Sequence, residues 1–396
     1  GESGTYGEWK PVEYTGTYGT NGFYLPFKQD ATVEGFSAVT YTGDSTLSHL
    51  IQGVGYQPDV VWLKTRTNQA DSHALFDAVR GGGYHLRTDS NLQHLAGSFS
   101  YDTDGFTLGN NDGQTNSSNN TYIAWTWDMG GTTVSNTNGS ITSSVRANSA
   151  YGQSIVKYTG VGGSSPTSNT IGHGLAAAPE MIILKKYTQA DSWQVYHKDL
   201  DTYTLSKLIL DTNAAQVNDG NGSSFGSPRN IGSSTFTIGY NGSVSATGED
   251  HIAYCFHSVT GYSKFGSYTG DATTNGSLSV TVGFRPAFLM VKKTNGTGNW
   301  IMVDTARNGD SNNINKYLKS NTTDVDATGL LYKFTSTGFT IHANLADINS
   351  SGGTYIYMAF ADTREYSFFT DQSTNSNHWT PNNISSVADV MLDTPS

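Results

Sequence analysis

Short apolar segments with alternating large and small side chains recur along the chain and predict β-strands. Three of them align as residues 122–127, 251–256 and 355–360. Because successive side chains point to opposite faces of a strand, Trp125 and Trp127 share one face while Ala124 and Thr126 share the other. This pattern predicts a sandwich strand that packs its large residues toward the core and its small residues on a crowded second side.

These segments close a unit that occurs three times. Each unit begins with a Tyr-Thr-Gly segment and continues with an apolar strand running from a proline to a lysine six residues later. A short apolar segment follows at 73–77, 193–197 and 300–304, and then a Gly-Phe-Thr-Leu-like strand. Five ordered landmarks in three copies indicate an internal repeat. The repeated landmark residues are Tyr41, Tyr158, Tyr268, Pro58, Pro179, Pro286, Lys64, Lys185 and Lys292.

The segments between the landmarks are rich in Asn, Gly, Ser and Thr, which form turns, and no sustained helical period appears. We therefore predict an all-β chain of three tandem antiparallel β-sandwich or jelly-roll repeats with short non-repeat flanks. The predicted boundaries are an N-terminal flank at 1–34, repeats at 35–131, 150–262 and 263–365, a linker at 132–149 and a C-terminal flank at 366–396. The flanks are rich in aromatic residues, which suggests that they pack on something.

Composition narrows the class of protein. Only 14% of the residues are charged and the net charge is −11, so the chain lacks the basic surface of a nucleic-acid binder. No apolar run approaches the roughly 20 residues that span a bilayer, and we expect no membrane insertion. The one cysteine, Cys255, excludes an intrachain disulfide and reads as a small packed residue. The sequence ends at Ser396 without a closing element, so we expect the natural chain to continue past it.

A search for catalytic patterns points away from an enzyme. The one Gly-x-Ser-x-Gly match, residues 222–226, lies in a Gly/Asn/Ser-rich stretch and not between a strand and a helix. No zinc pattern accompanies the histidines, and we expect neither a metal nor another cofactor. Carboxylate pairs two residues apart can bind calcium, which is the alternative to solvated turns. These pairs are Asp102/Asp104, Asp199/Asp201 and Asp324/Asp326.

Two repeated positions have a structural and a functional interpretation. Lys64, Lys185 and Lys292 either contact a ligand or, as we favour, limit edge pairing or meet a neighbouring carboxylate. His197 stands where the other copies carry Asp77 and Asp304, and we interpret it as a surface or sheet-edge variation.

The repeat resembles a domain of structural proteins from marine tailed phages, cyanophages among them. The resemblance rests on Tyr-Thr-Gly, on Pro-Asp-Val-Val-Trp-Leu-Lys at 58–64, on Asp-Gly-Phe-Thr-Leu-Gly at 104–109 and on Tyr-Ile-Ala-Trp at 122–125. The flanking segments 18–27 and 377–384 resemble segments that accompany concanavalin A-like (laminin G-type) domains in such proteins. The first repeat fits best, while the other two depart in loop length.

The resemblance implies a virion component on the particle surface, synthesised in the host cytoplasm and assembled with other virion proteins. It implies a homotrimeric tail fibre or host-adhesion fibre that binds a cell-surface glycan or protein. A capsid decoration or fibre connector without a receptor role is one alternative, and a cellular adhesin or filament subunit is another. Aromatic and amide-rich loops suit sugars, and the candidate contacts in the first repeat are Tyr84, His85, Arg87, Asn110, Asn111 and Asp112.

Overall fold

The computed structural model describes residues 2–3, 9–10 and 35–361, apart from 68–70, 111, 165–167, 201–204, 228 and 309–311. The chain forms two compact units, one of residues 1–31 with 364–396 and one of residues 32–363. Of the first unit, only the antiparallel strands β1 (Glu2–Ser3) and β2 (Trp9–Lys10) are described. Nearly all of the two flanks therefore lies outside the described residues.

The first repeat forms a four-stranded sheet, a three-stranded sheet and a small strand pair, all antiparallel. The sheet orders are β3-β11-β5-β6, β4-β10-β9 and β7-β8. The strands are β3 (Phe36–Thr42), β4 (His49–Gln52), β5 (Val60–Thr65), β6 (Ala74–Asp77), β7 (Tyr84–His85), β8 (Leu95–Ala96), β9 (Phe99–Asp102), β10 (Gly105–Leu108) and β11 (Thr121–Trp127).

The stretch predicted to be a linker, 132–149, contains strands β12 (Val134–Asn136) and β13 (Ser143–Asn148). β13 pairs with the first strand of the second repeat, so the polar composition that suggests a linker instead builds a sheet edge. The second repeat has the sheet orders β12-β13-β14-β20-β16-β17-β18 and β15-β19. Its elements are β14 (Gln153–Thr159), β15 (Asn169–Gly172), β16 (Met181–Lys186), β17 (Gln194–His197), β18 (Leu208–Ile209), β19 (Thr235–Ile238), α1 (Gly242–Ser245) and β20 (Asp250–Phe256).

The third repeat forms one curled antiparallel sheet of order β21-β28-β23-β24-β25-β26-β27-β22. Its strands are β21 (Ser263–Thr269), β22 (Ser279–Thr281), β23 (Phe288–Lys293), β24 (Ile301–Asp304), β25 (Asn313–Lys319), β26 (Ala327–Thr335), β27 (Gly338–Ile341) and β28 (Thr354–Phe360). The described part of the chain contains no helix that is long and apolar enough to cross a membrane.

One four-strand order occurs in all three repeats: β3-β11-β5-β6, β14-β20-β16-β17 and β21-β28-β23-β24. The closing strand of each repeat lies between the Tyr-Thr-Gly strand and the Pro-to-Lys strand, so both of its edges are paired. Each landmark proline is buried two residues before its strand begins, where the missing N–H costs no ladder hydrogen bond.

The landmark tyrosines hold the loop that precedes each closing strand. Tyr41, Tyr158 and Tyr268 each donate a 2.7 Å hydrogen bond from the hydroxyl to a backbone carbonyl, those of Thr115, Val244 and Ile348. A buried carbonyl without a partner is costly, so the repeated tyrosine fixes the loop against the sheet.

The small faces of the closing strands line three separate local cores. Ala124, Ala253 and Ala359 each belong to a different core, and the Gly-Phe-Thr-Leu-like strands contribute a fully buried phenylalanine to each, namely Phe106, Phe236 and Phe339. Each repeat thus covers the small face of its four-strand run with its own outer strands.

The large faces meet in a single central core shared by the three repeats. At one end Trp127, Phe256 and Phe360 form a triangle, with ring centroids 6.5, 5.8 and 5.8 Å apart. The expectation that the large residues fill the sandwich of their own repeat is therefore wrong. They are buried against the other two repeats, because the alternation of a strand determines which residues share a face but not what covers it.

Equivalent hydrogen bonds join the repeats in a closed ring. Trp193 Nε1 of the second repeat donates to Arg87 O of the first (3.0 Å), and Trp300 Nε1 of the third donates to Ile209 O of the second (3.1 Å). The first repeat has His73 at this position, and its Nε2 lies 3.0 Å from Lys319 O of the third. Each of these contacts lies in the interface between two repeats. We call the three interfaces the first–second, second–third and first–third seams.

Candidate functional site

The structure divides the candidate contacts of the first repeat between two sides of strand β7. Tyr84 and His85 are consecutive in β7, so their side chains point to opposite faces. Tyr84 lies toward the first–second seam, where it stacks on His94. His85 is buried and lies on the side of Arg87 and Asp112, and Asn111 lies outside the described residues.

Tyr84 is the only aromatic side chain among the described residues that is strongly exposed, with 45% of its surface accessible. Its ring lies parallel to that of His94, at a centroid distance of 4.3 Å and an angle of 9°. His94 in turn contacts Tyr187 of the second repeat at 5.2 Å, and the Arg80 guanidinium lies 5.8 Å from the centre of the Tyr187 ring. One ring face of Tyr84 is thus fixed by packing, and the side chain leaves a large part of its surface in solvent.

Burial and the nearby Arg80 cation lower the pKa of His94. The imidazole beneath Tyr84 is therefore neutral at pH 7. The stack of Tyr84 on His94 therefore carries no net charge.

On the other side of β7, the polar candidates build a turn. Asn110 Nδ2 donates to Asp112 Oδ2 at 2.9 Å, and Asp112 Oδ1 accepts from Gln114 N at 2.9 Å and from Thr115 Oγ1 at 3.0 Å. Arg87 Nε bonds Gln114 Oε1 at 3.0 Å. Asp112 and Asn110 therefore hold their own loop, and the half-buried guanidinium of Arg87 is the polar group that this side offers to a ligand.

His85 does not act as a surface contact. Burial lowers the pKa of His85 to about 4, although Asp112 opposes this shift, so the ring is neutral at pH 7. Its position against Phe76, with ring centroids 5.5 Å apart, makes it a packing residue of the first repeat.

The landmark lysines are fully buried, and their strands are not sheet edges. The interpretation that they limit edge pairing is therefore wrong. Lys64 Nζ donates to Thr323 O of the third repeat at 3.2 Å, and Lys185 Nζ donates to Asn91 O of the first at 3.1 Å. Lys292 Nζ bonds Lys293 O at 2.5 Å. Burial lowers the pKa of each of these lysines to about 8, and their carbonyl contacts mark them as parts of the framework.

The carboxylates of two of the three pairs, Asp102/Asp104 and Asp324/Asp326, have partners within the protein. Asp104 accepts from Gly53 N and Gly55 N, Asp324 pairs with Lys319 at 2.8 Å, and Asp326 Oδ2 lies 2.7 Å from Arg66 Nε. Within the residues that the structure describes, no group of three or more His, Cys, Asp or Glu side chains could hold a metal ion. Asp201 lies outside that part of the chain.

Sequence reasoning missed His94, Tyr187 and Arg80, which complete the surroundings of Tyr84. No local pattern marks His94 or Tyr187, because Tyr187 comes from a different repeat. The Asp-x-x-Arg spacing of Asp77 and Arg80 is visible in the sequence and recurs as Asp304 and Arg307. That recurrence is the signal that could have identified the arginine.

Comparison with known proteins gives one match. A family model described as "Domain of unknown function (DUF7483)" matches residues 32–364, nearly the same residues as the second compact unit. No curated protein and no solved structure matches the chain.

Proposed function

The chain belongs to the DUF7483 family, whose description names no activity, and we propose that it is a host-adhesion fibre component of a tailed-phage virion. The resemblance of its repeat and flanking segments to marine phage structural proteins supports this assignment. In this proposal the three β-sandwich repeats form the rigid part of a surface fibre, and polar loops present the contacts to the host.

The exposed ring of Tyr84 is the observation that supports a binding role. Aromatic rings bind sugars by stacking on the apolar C–H face of the pyranose, and a ring that is already ordered loses little entropy on binding. Tyr84 is held by His94 at 4.3 Å, which satisfies that condition. We therefore propose that a cell-surface glycan stacks on Tyr84.

Binding of the full chain to host cells, with competition by purified envelope polysaccharide, tests this proposal. Tyr84→Ala should abolish competable binding, while Tyr84→Phe should retain it because the ring is kept. Leu330→Ala is the matched control, since Leu330 is similarly exposed at 38% but lies in the third repeat.

Other outcomes point to other functions. No cell binding, together with stoichiometric attachment of the chain to capsid or tail, would favour a decoration or connector protein. Shortening of the polysaccharide by the chain would favour an enzyme. Unchanged binding of Tyr84→Ala would remove Tyr84 from the contact surface.

A further inference from the structure

The first–third seam is closed by a charged network that runs from the central core to the surface. Trp125 Nε1 donates to Asp304 Oδ2 at 2.9 Å, and Arg307 Nε donates to the same oxygen at 2.7 Å. Arg307 Nη1 continues to Asp326 Oδ1 at 2.6 Å, and Asp326 Oδ2 meets Arg66 Nε at 2.7 Å. Both members of the Asp304–Arg307 pair are fully buried.

The first–second seam has the same arrangement at equivalent positions. Tyr254 donates from its hydroxyl to Asp77 Oδ2 at 2.7 Å, and Arg80 Nε donates to that oxygen at 2.5 Å. Each of these two seams therefore combines an aromatic donor, a buried aspartate and an arginine three residues later. Removing one partner of such a buried ion pair leaves the other charge uncompensated and strongly destabilises the folded protein.

The second–third seam lacks all three parts of this arrangement. The sequence has Met358 at the position of the aromatic donor, His197 at that of the aspartate and Leu200 at that of the arginine. In the described part of the chain no ion pair joins the second and third repeats, and Lys292 makes no bond to the second repeat like those of Lys64 and Lys185.

His197 is fully buried in this seam, which corrects its interpretation as a surface variation. Its Nε2 lies 3.4 Å from Tyr357 O of the third repeat, and its Nδ1 accepts from Asp199 N at 3.2 Å. A carbonyl can only accept and a backbone N–H can only donate, so these contacts require the neutral ring with its proton on Nε2. Protonation of Nδ1 turns an accepted hydrogen bond into a repulsion between two N–H groups.

The charged and titratable groups around His197 do not offset its burial. Asp199 and Glu180 favour the protonated ring and Lys198 disfavours it, but desolvation dominates and lowers the pKa of His197 to about 4. Glu180 already pairs with Lys198 at 3.2 Å. From the third repeat, the facing titratable group is Tyr357, whose pKa is raised to about 12 by burial and which is therefore neutral.

We propose that the second–third seam is the acid-sensitive seam of the ring, and that it opens ahead of the other two seams when the pH falls from 7 to 5. Opening exposes His197 to water, where it binds a proton that the closed seam excludes. His73 in the first–third seam and half-buried His94 in the first–second seam also have lowered pKa values, but those seams are held by the buried aspartate–arginine pairs.

Three equivalent backbone hydrogen bonds report the state of the three seams. Gln216 N donates to Thr294 O across the second–third seam at 2.8 Å, His94 N to Tyr187 O across the first–second seam at 2.9 Å, and Asp326 N to Arg66 O across the first–third seam at 3.2 Å. Hydrogen exchange of these amides in the 396-residue chain, corrected for the intrinsic pH dependence of exchange, measures opening of each seam.

In the wild-type chain, protection at Gln216 should fall about 20-fold between pH 7 and pH 5, from a pKa of 6.5 in the open seam and about 4 in the closed one. Protection at His94 and Asp326 should start from a higher value at pH 7, because opening those seams also breaks a buried aspartate–arginine pair, and should stay above that of Gln216 at pH 5. His197→Gln should abolish the pH response at Gln216, because the amide keeps one donor and one acceptor but does not titrate.

Matched variants distinguish the loss of a titratable group from misfolding as the cause of a changed response at Gln216. His251→Tyr changes a buried histidine in the local core and should leave the response at Gln216 intact. The triple variant His197→Asp/Leu200→Arg/Met358→Trp copies the first–third seam and should make Gln216 as acid-resistant as Asp326. An unchanged response in His197→Gln would overturn the proposal, as would wild-type protection at Gln216 that is no lower at pH 5 than protection at His94 and Asp326.

Discussion

His251 provides a direct test of how the repeat tolerates a titratable group in a buried site. It is the second residue of the closing strand β20 and stacks on Tyr158, with ring centroids 5.1 Å apart and an angle of 7°. The other two repeats have Tyr122 and Tyr355 here, stacked on Tyr41 and Tyr268 at 5.0 Å. The substitution His251→Tyr therefore restores the residue that the framework accepts twice elsewhere.

Backbone groups that can bond the hydroxyl of the introduced tyrosine are also present. Tyr122 donates from its hydroxyl to Gly113 O and accepts from Ser117 N, both at 2.9 Å. By the alignment of the repeats, the corresponding backbone groups near His251 are those of Gly242 and Ala246. We therefore expect the variant to fold as the wild type does at pH 7.

The size of the acid-induced loss of stability follows from the titration of the His251 imidazole. Burial lowers the pKa of His251 to about 4, against about 6.5 in the unfolded chain. The unfolded state therefore binds the proton first as the pH falls, and stability is lost between about pH 6.5 and pH 4. At pH 5 this loss amounts to about 2 kcal/mol for one histidine with these two pKa values.

Urea unfolding of both chains at pH 7 and pH 5 gives the required free energies. The other buried histidines are common to both chains and cancel in the comparison, so the acid-induced loss should be about 2 kcal/mol smaller in His251→Tyr. His342→Gln serves as the control, because His342 is only partly covered and should change the acid response little. Equal acid losses in the wild type and in His251→Tyr would refute the reasoning.

Three further predictions concern the core, the first–third seam and the assembly. Burial raises the pKa of the Cys255 thiol, so a thiol reagent at pH 8 should modify it only after denaturant is added, and rapid labelling of the native chain would contradict its packed position. Arg307→Met leaves Asp304 buried without its cation and should lower the free energy of unfolding by about 3–5 kcal/mol, measured by urea titration; a change below 1 kcal/mol would mean that the pair contributes little. The proposed homotrimer predicts a light-scattering mass three times the 42.5 kDa of the 396-residue chain, and a mass equal to one chain at micromolar concentration would contradict it.

Part of the candidate site could be read from the sequence. Tyr84 and Arg87 were identified from residue type and loop position, and both lie where a ligand could reach them. Asp112 and Asn110 were identified on the same grounds, but their polar atoms hold the turn, since Asn and Asp bond their own backbone as readily as they bond a ligand. Sequence alone does not distinguish these two uses.

The sequence by itself determined the strands, their faces and their threefold repetition. The alternation of Trp125 with Ala124 and Thr126, and the spacing from Pro58 to Lys64, follow from the two-residue period of a strand and are local properties. They are sufficient for an all-β assignment.

Only the tertiary structure decided what each face meets. The large residues of three distant strands converge on the triangle of Trp127, Phe256 and Phe360, Lys64 is buried against a carbonyl of the third repeat, and His197 closes a seam. These contacts join residues more than a hundred positions apart. The physical reason is that local backbone geometry fixes the direction of a side chain, whereas its partner depends on how whole sheets pack to exclude water.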